Sequence, residues 1–184
     1  MAIFRGITDM IKQKKIGLTL LVLFLVLIIT GCSSMVNKKS INLPLDKKYA
    51  ISSFWNYTET PMAGLKVATI VESILAQKGI IVSSLIGGGE EMSLSTTKKS
   101  FLEKKLKDAK EIGSDYLILG NVQEWRYKTG IDGEPVVSYG IKVINLKDDS
   151  TIFNSVGAKS AWGHKSIGVV AQEIANELLP QFIK

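Results

Sequence analysis

Apolar residues run almost without a break from Ile16 to Ile29, and no other stretch of the chain keeps one character for so long. Ser33 to about Leu45 is polar, carries lysines and shows no period, which reads as a tether. From Lys47 onward short periodic segments alternate. Tyr49 to Trp55 has the two-residue alternation of a strand, with Tyr49, Ile51 and Trp55 on one parity and Ala50 and Phe54 on the other. A loop from Asn56 to Pro61 leads into a helix that reaches Lys78, with Thr60 as candidate N-cap, Pro61 in the first turn and Gly79 as the stop. Val67, Val71, Ile74 and Leu75 supply its apolar stripe. Ile80 to Leu85 predicts a short strand, broken by Gly87-Gly88-Gly89. A second helix is predicted from Thr97 to Ile112, with Leu102, Leu106, Ala109 and Ile112 inward and Gly113 ending it. Asp115 to Tyr127 predicts a strand that starts buried on both faces, and Pro135 to Leu146 one that alternates Val137, Tyr139, Ile141 and Val143 with Ser138, Gly140 and Lys142. Lys147-Asp148-Asp149-Ser150 is the hairpin turn into a strand from Thr151 to Trp162. A last helix is predicted from Ser166 to Phe182. The order β-α-β-α-β-β-β-α predicts an α+β sandwich, a mixed sheet flanked by helices.

The first apolar run acquires its meaning from its flanks. Lys12, Lys14 and Lys15 precede it, and Ile29-Thr30-Gly31-Cys32 follows it. This is the layout of a secretory signal, and the last four residues resemble the lipobox of bacterial lipoproteins. A thiol at Cys32 is what thioether formation with a diacylglyceryl group requires. The run holds 14 residues, against about 20 for a membrane-spanning helix. The expected organisation is a signal peptide at 1–31, a lipidated tether at 32–46 and a periplasmic domain at 47–184. Acyl chains contribute about 0.8 kcal/mol per buried methylene, so two or three of them hold a protein at a membrane. Ser33 at the second position implies, on the same resemblance, the outer membrane and its periplasmic face.

Composition then narrows the function. The predicted leader carries Arg5, Lys12, Lys14 and Lys15 against Asp9, so the net charge falls from +6 for the whole chain to +3 for the remainder. That is too little to argue for nucleic acid. With Cys32 acylated no thiol is left to form a disulfide.

Several segments together resemble one group of periplasmic domains. Ala109 to Gly120, reading AKEIGSDYLILG, is similar to the helix-Gly-Ala/Ser-Asp-strand-Gly segment of the group that contains CsgG and the TolB amino-terminal domain. Val143 to Thr151 is similar to the strand and turn that follow it there. Asn56 to Gly64, Glu124 to Pro135 and Ser160-Ala161-Trp162 resemble, within that group, the PelC-like lipoproteins of exopolysaccharide export. The resemblance covers about Lys48 to Phe182. It implies a non-enzymatic lipoprotein that forms a homo-oligomeric ring of twelve subunits beneath an outer-membrane β-barrel porin, with a polysaccharide passing through the ring.

Candidate chemistry is sparse. His164 stands alone before the last helix, without partners for a metal site or a triad. Gly87-Gly88-Gly89-Glu90 lacks the Lys and Ser/Thr of a phosphate loop. Asp132 and Glu134 share one glycine-rich turn, where a solvated loop is a better reading than a glycosidase pair. No catalytic residue, cofactor or metal is therefore expected. Trp162, set among Ser160, Lys165 and His164, has the composition of a membrane-interface anchor, or else caps the core. Trp125, Arg126 and Tyr127 are candidates for contact with a polymer or a neighbouring subunit, or pack across strands. Asp132 and Glu134 are further contact candidates, whose charge a ring would multiply. The alternative function is a regulatory lipoprotein that activates a cell-wall synthase, like LpoB, or a module of another envelope machine. The tether from Ser33 to Leu45 spans at most about 45 Å, which disfavours a protein that must reach far from the membrane.

Overall fold

The computed structural model describes residues 33–36, 41–87, 97–130, 133–162 and 165–183, with the backbone alone at 33–36. The predicted leader 1–31, Cys32, Gly88 to Glu90, Asp132 and His164 lie outside the described residues. In chain order the elements are β1 (Ser33–Val36), β2 (Asn42–Pro44), β3 (Tyr49–Ser52), β4 (Trp55–Asn56), α1 (Ala63–Gln77), β5 (Val82–Leu85), α2 (Lys98–Glu111), β6 (Tyr116–Tyr127), β7 (Pro135–Asn145), β8 (Ser150–Ser160), α3 (Ile167–Leu178) and β9 (Gln181–Ile183). The main sheet runs β1-β8-β7-β6-β3-β5, with β4 joined to β6. Strands β6, β7 and β8 are antiparallel, while β3 is parallel to both β6 and β5. The predicted α+β order is thus present as β3-α1-β5-α2-β6-β7-β8-α3 in an open, mixed sheet.

The two-residue period of the strands sorts their side chains into two layers. Tyr49, Ile51, Ile118, Val122, Tyr139 and Ile141 pack against Val67, Val71 and Ile74 of α1 and Val170, Ile174 and Leu178 of α3. Ala50, Leu117 and Leu146 point the other way, onto Ala109 of α2. Burying each such aliphatic side chain stabilises the fold by about 1.5–3 kcal/mol. This is why Leu117-Ile118 reads as buried on both faces: helices cover the sheet there on both sides.

Local chemistry sets the helix ends. The Thr97 hydroxyl accepts from the Ser100 N–H and the Ser100 hydroxyl accepts from the Thr97 N–H, both at 3.1 Å, a reciprocal cap on α2. Gly79 and Gly113, at φ of +76° and +72°, end α1 and α2 in the left-handed conformation that glycine adopts without a Cβ clash.

Five details depart from the sequence reading. The strand expected from Tyr49 to Trp55 is interrupted, giving β3 and β4. Helix α1 starts at Ala63 after Met62 in left-handed backbone, and Thr60 is not its cap. The Thr60 hydroxyl instead donates to the Trp125 carbonyl oxygen at 2.6 Å. On α2, Ile112 is exposed while Lys105 is buried, its Nζ donating to the Leu85 carbonyl oxygen at 3.3 Å. Helix α2 packs mainly on β5 and β6, with Phe101 against Trp55 of β4, so its inward stripe is narrow. The last helix stops at Leu178, because Leu179 precedes Pro180 and takes extended backbone at φ −58°, ψ 140°. The residues beyond form β9.

Strand β9 explains the fifth. It pairs in parallel with β2, Leu43 opposite Phe182, within the stretch expected to be a free tether. Leu43 is buried in the main core, so the folded part begins ahead of Lys47. Tyr49 locks this corner. Its hydroxyl donates to the Pro44 carbonyl oxygen at 2.7 Å, and its ring stacks on Tyr116 and meets the edge of Phe182. Burial, with Tyr116, Asp115 and Asp46 adding to it, pushes the Tyr49 pKa well above the usual tyrosine range.

Candidate functional site

The three long strands bring most of the described candidate residues to one end of the sheet. Tyr127 closes β6 opposite Pro135 of β7, and Val136 stands opposite Ser160 of β8. Ala161 N–H then donates to the Pro135 carbonyl oxygen at 3.1 Å. Trp162 follows at once, 60% exposed. Its own carbonyl oxygen accepts from the Lys165 N–H at 3.0 Å, and Lys165 Nζ lies 2.7 Å from a Glu173 carboxylate oxygen on α3. Glu173 also holds Lys159 of β8 at 2.9 Å, and Glu177 adds a contact to Lys159 at 3.7 Å. The hydrogen bonds from Lys159 and then Lys165 hold the Glu173 carboxyl below its usual pKa, and the bond to Glu173 raises Lys159. This network fixes the turn that presents Trp162.

Tyr127 is half exposed, and its hydroxyl accepts from the Ile167 N–H at 3.2 Å, satisfying one of the open donors at the start of α3. Arg126 is exposed and its guanidinium pairs with Glu124 at 3.1 Å. Glu134 pairs with Lys128 at 2.7 Å, and Lys128 N–H donates to the Glu134 carbonyl oxygen, closing the β6–β7 loop. Trp125 is only 5% exposed. A β-bulge between Val122 and Glu124 inserts one residue into β6, so the parity set by Ile118, Gly120 and Val122 is reversed and Trp125 turns inward, opposite Val137. Its ring is taken up by the core. The sequence reading overlooked Met62, which is exposed beside this end because Thr60 ties the β4–α1 loop to Trp125. The loop signal at Asn56 to Pro61 marked the region but not that side chain.

What this end offers chemically is amphipathic contact. Large apolar groups, Met62, Tyr127 and Trp162, stand among the lysines 128 and 165. Among the described residues no three His, Cys, Asp or Glu side chains come together, and no helix is long and apolar enough to cross a membrane.

Fold and site together define a small α+β sheet domain with helices on both faces and an aromatic, lysine-flanked end. The fold is PelC-like. The chain is similar to the PelC dodecamer from Paraburkholderia phytofirmans, with 28% identity and a TM-score of 0.65 over 84% of this chain and 100% of that one. It is equally similar to a single-residue variant of that dodecamer, at 28% identity and a TM-score of 0.66 over 80% and 96% of the two chains. Lipoprotein GNA1162 from Neisseria meningitidis shares the fold at 11% identity, with a TM-score of 0.51 over 71% of this chain and 96% of that one. No protein-family model and no curated protein matches the chain.

Proposed function

We propose that this chain is a non-enzymatic lipoprotein of the outer membrane, anchored through Cys32 on the periplasmic face, and a ring-forming component of a Pel-type exopolysaccharide export apparatus. The observation that carries this reading is the likeness to the PelC dodecamer, at 28% identity and over four fifths of the chain. Two features of the domain support the orientation. The backbone of Ser33, the residue after Cys32, pairs with Lys159 close to Trp162. The domain's first described strand thus starts at the end of β8 that leads to Trp162, which suits a lipid anchor that precedes it. Trp, Tyr and Met among lysines are the side chains that settle at a bilayer surface. In this reading Trp162 and Tyr127 rest on the membrane, an export porin lies above the ring, and the polysaccharide passes through it. Arg126, Asp132 and Glu134 remain the candidates for contact with polymer or neighbour.

The test is deletion of the gene from a strain that exports the polymer, with complementation by the wild type and by Cys32→Ala. The expected result is loss of secreted polymer with synthesis intact, restored by the wild type alone. The Cys32→Ala product should remain an unprocessed precursor. Normal export without the protein would refute the export role, and normal processing of Cys32→Ala would refute the anchor.

A further inference from the structure

Two unpartnered apolar surfaces lie on opposite sides of the main sheet. On one side, α1 and α3 run side by side, and between their first halves opens a groove of about 560 Å³. Leu65, Thr69, Ile70, Ile167 and Gly168 form its walls, with Trp125 lining it from the sheet. Lys66 and Gln172 also line it, while the α1 hydroxyls that border it are already spent: the Thr69 hydroxyl donates to the Leu65 carbonyl oxygen at 3.0 Å and Ser73 to that of Thr69 at 2.9 Å. Apart from those two side chains the wall presents carbon, with no free hydroxyl donor. On the other side, α2 packs mainly on β5 and β6 and meets β7 and β8 only at their turn, through Leu146 and the Lys110–Asp149 pair, which leaves the outer face further along these strands open. There Val156 is 38% exposed, directly opposite Gly140, with Ala158 opposite Ser138 next to it. Gly140 contributes no side chain, so this face is flat and open to close approach, with Val156 and Ala158 as its apolar part and Asn121, Lys142 and Asn154 bordering it.

We propose that a second copy of this chain covers the groove, seating its Val156-centred sheet face on α1 and α3. This rests on the homo-oligomeric reading above, drawn from likeness to a dodecamer over most of the chain. The geometry selects the mode of contact. Groove against groove would join two copies about a two-fold axis and bury the surface of both. Front against back leaves every added copy with one open groove and one open sheet face, so growth continues until the assembly closes on itself. Both surfaces are apolar at their centres, as the buried middle of an interface requires. A specific contact needs about 800 Å² per partner, an area a helix pair laid on two strands can supply. Ile70 and Val156 are the central side chains of the two halves.

The full-length lipoprotein, processed in cells and extracted in mild detergent, tests this by sedimentation. Ile70→Glu spoils the groove and Val156→Glu the sheet face. Neither residue is fully buried, and a thermal melt checks that each variant folds; Thr69→Arg, at an exposed position, replaces Ile70→Glu if it does not. The wild type should sediment as a large oligomer and each variant as a monomer. An equal mixture of the two variants at high concentration should form dimers, because each retains the half that the other has lost. Variants that keep the large assembly, or a mixture that stays monomeric, would overturn the proposed surfaces while leaving the oligomer intact as a reading. Loss of lipid binding with the oligomer unchanged would assign the groove to an acyl chain and likewise overturn the proposal. A wild type that is monomeric in detergent and in vesicles would remove the oligomeric reading itself.

Discussion

The hydroxyl of Tyr139, in the middle of β7, donates to the carbonyl oxygen of Ala171 on α3 at 2.6 Å, and no water reaches either group. This one bond fixes α3 against the sheet at the level of the groove. Burial pushes the Tyr139 pKa far above the usual tyrosine range. The Ala171 oxygen keeps its place in the helical ladder if the hydroxyl is removed, so Tyr139→Phe should cost about 1 kcal/mol. That is a fall of about 2–4 °C in melting temperature for a domain of this size. The sign of the pH effect follows from the raised pKa. The contribution is fully present below the unfolded-chain value of about 10 and is lost as pH rises above it. The gap between wild type and Tyr139→Phe should therefore narrow in alkali.

Gly120 has no room for a side chain. A Cβ there would stand 2.0 Å from the Gly140 carbonyl oxygen and 2.5 Å from the ring of Phe54. Backbone on one side and a buried ring on the other leave nothing that can yield. Gly120→Ala should cost about 3 kcal/mol or more, at the upper end for overpacking, and a denaturant titration would show it as a lower midpoint with unchanged slope.

The two tryptophans at the aromatic end should behave in opposite ways. Truncating Trp125 removes a buried ring and should cost about 3–5 kcal/mol. Trp162→Ala should leave the melting temperature within a few degrees, since its ring is mostly in solvent. In the membrane-facing reading, Trp162→Ala should still weaken binding to lipid vesicles. A stability loss at Trp162 comparable with that at Trp125 would refute that role.

Glu173 supplies an acid-sensitive element. Its folded pKa lies below its ordinary value of 4.5, first through Lys159 and then through Lys165. The stabilisation is therefore present above that ordinary value and is lost as pH falls through the lower, folded one. Glu173→Gln should lower stability at neutral pH by less than about 1 kcal/mol, the range for solvated pairs. The difference from wild type should shrink as pH falls through that lower value. Trp162 fluorescence should become more mobile in the variant, with reduced anisotropy after Trp55 and Trp125 are replaced by Phe, because Lys165 is released.

The strands and helices that carry the core were legible because each buries a face locally. Val137, Tyr139, Ile141 and Val143 alternate without interruption, and all four are buried on one side of β7. Trp125 was open to two readings for a physical reason. Its parity depends on one inserted residue at the Val122/Glu124 bulge, and neither composition nor period announces an insertion. Strand β9 was hidden differently. Gln181-Phe182-Ile183 continues the apolar spacing of α3, and its partner β2 lies near the other end of the domain. Pro180 was the available signal, since the residue before a proline disfavours helix. The exposure of Trp162 was legible only as one of two alternatives, because the turn beyond β8 is held by Glu173 from another element.

The pairing of β2 with β9 has a consequence for the order of events in biogenesis. Leu43 precedes Phe182 by most of the domain, so the corner around Tyr49 stays open until β9 has been synthesised. A prematurely terminated product would expose Leu43 and one side of the Tyr49 ring. It would lack the hydrogen bond from Leu45 N–H to the Ile183 carbonyl oxygen as well. The corner therefore tells a chain that has reached β9 from one cut off before it, and a protease would meet the unclosed corner only in the latter.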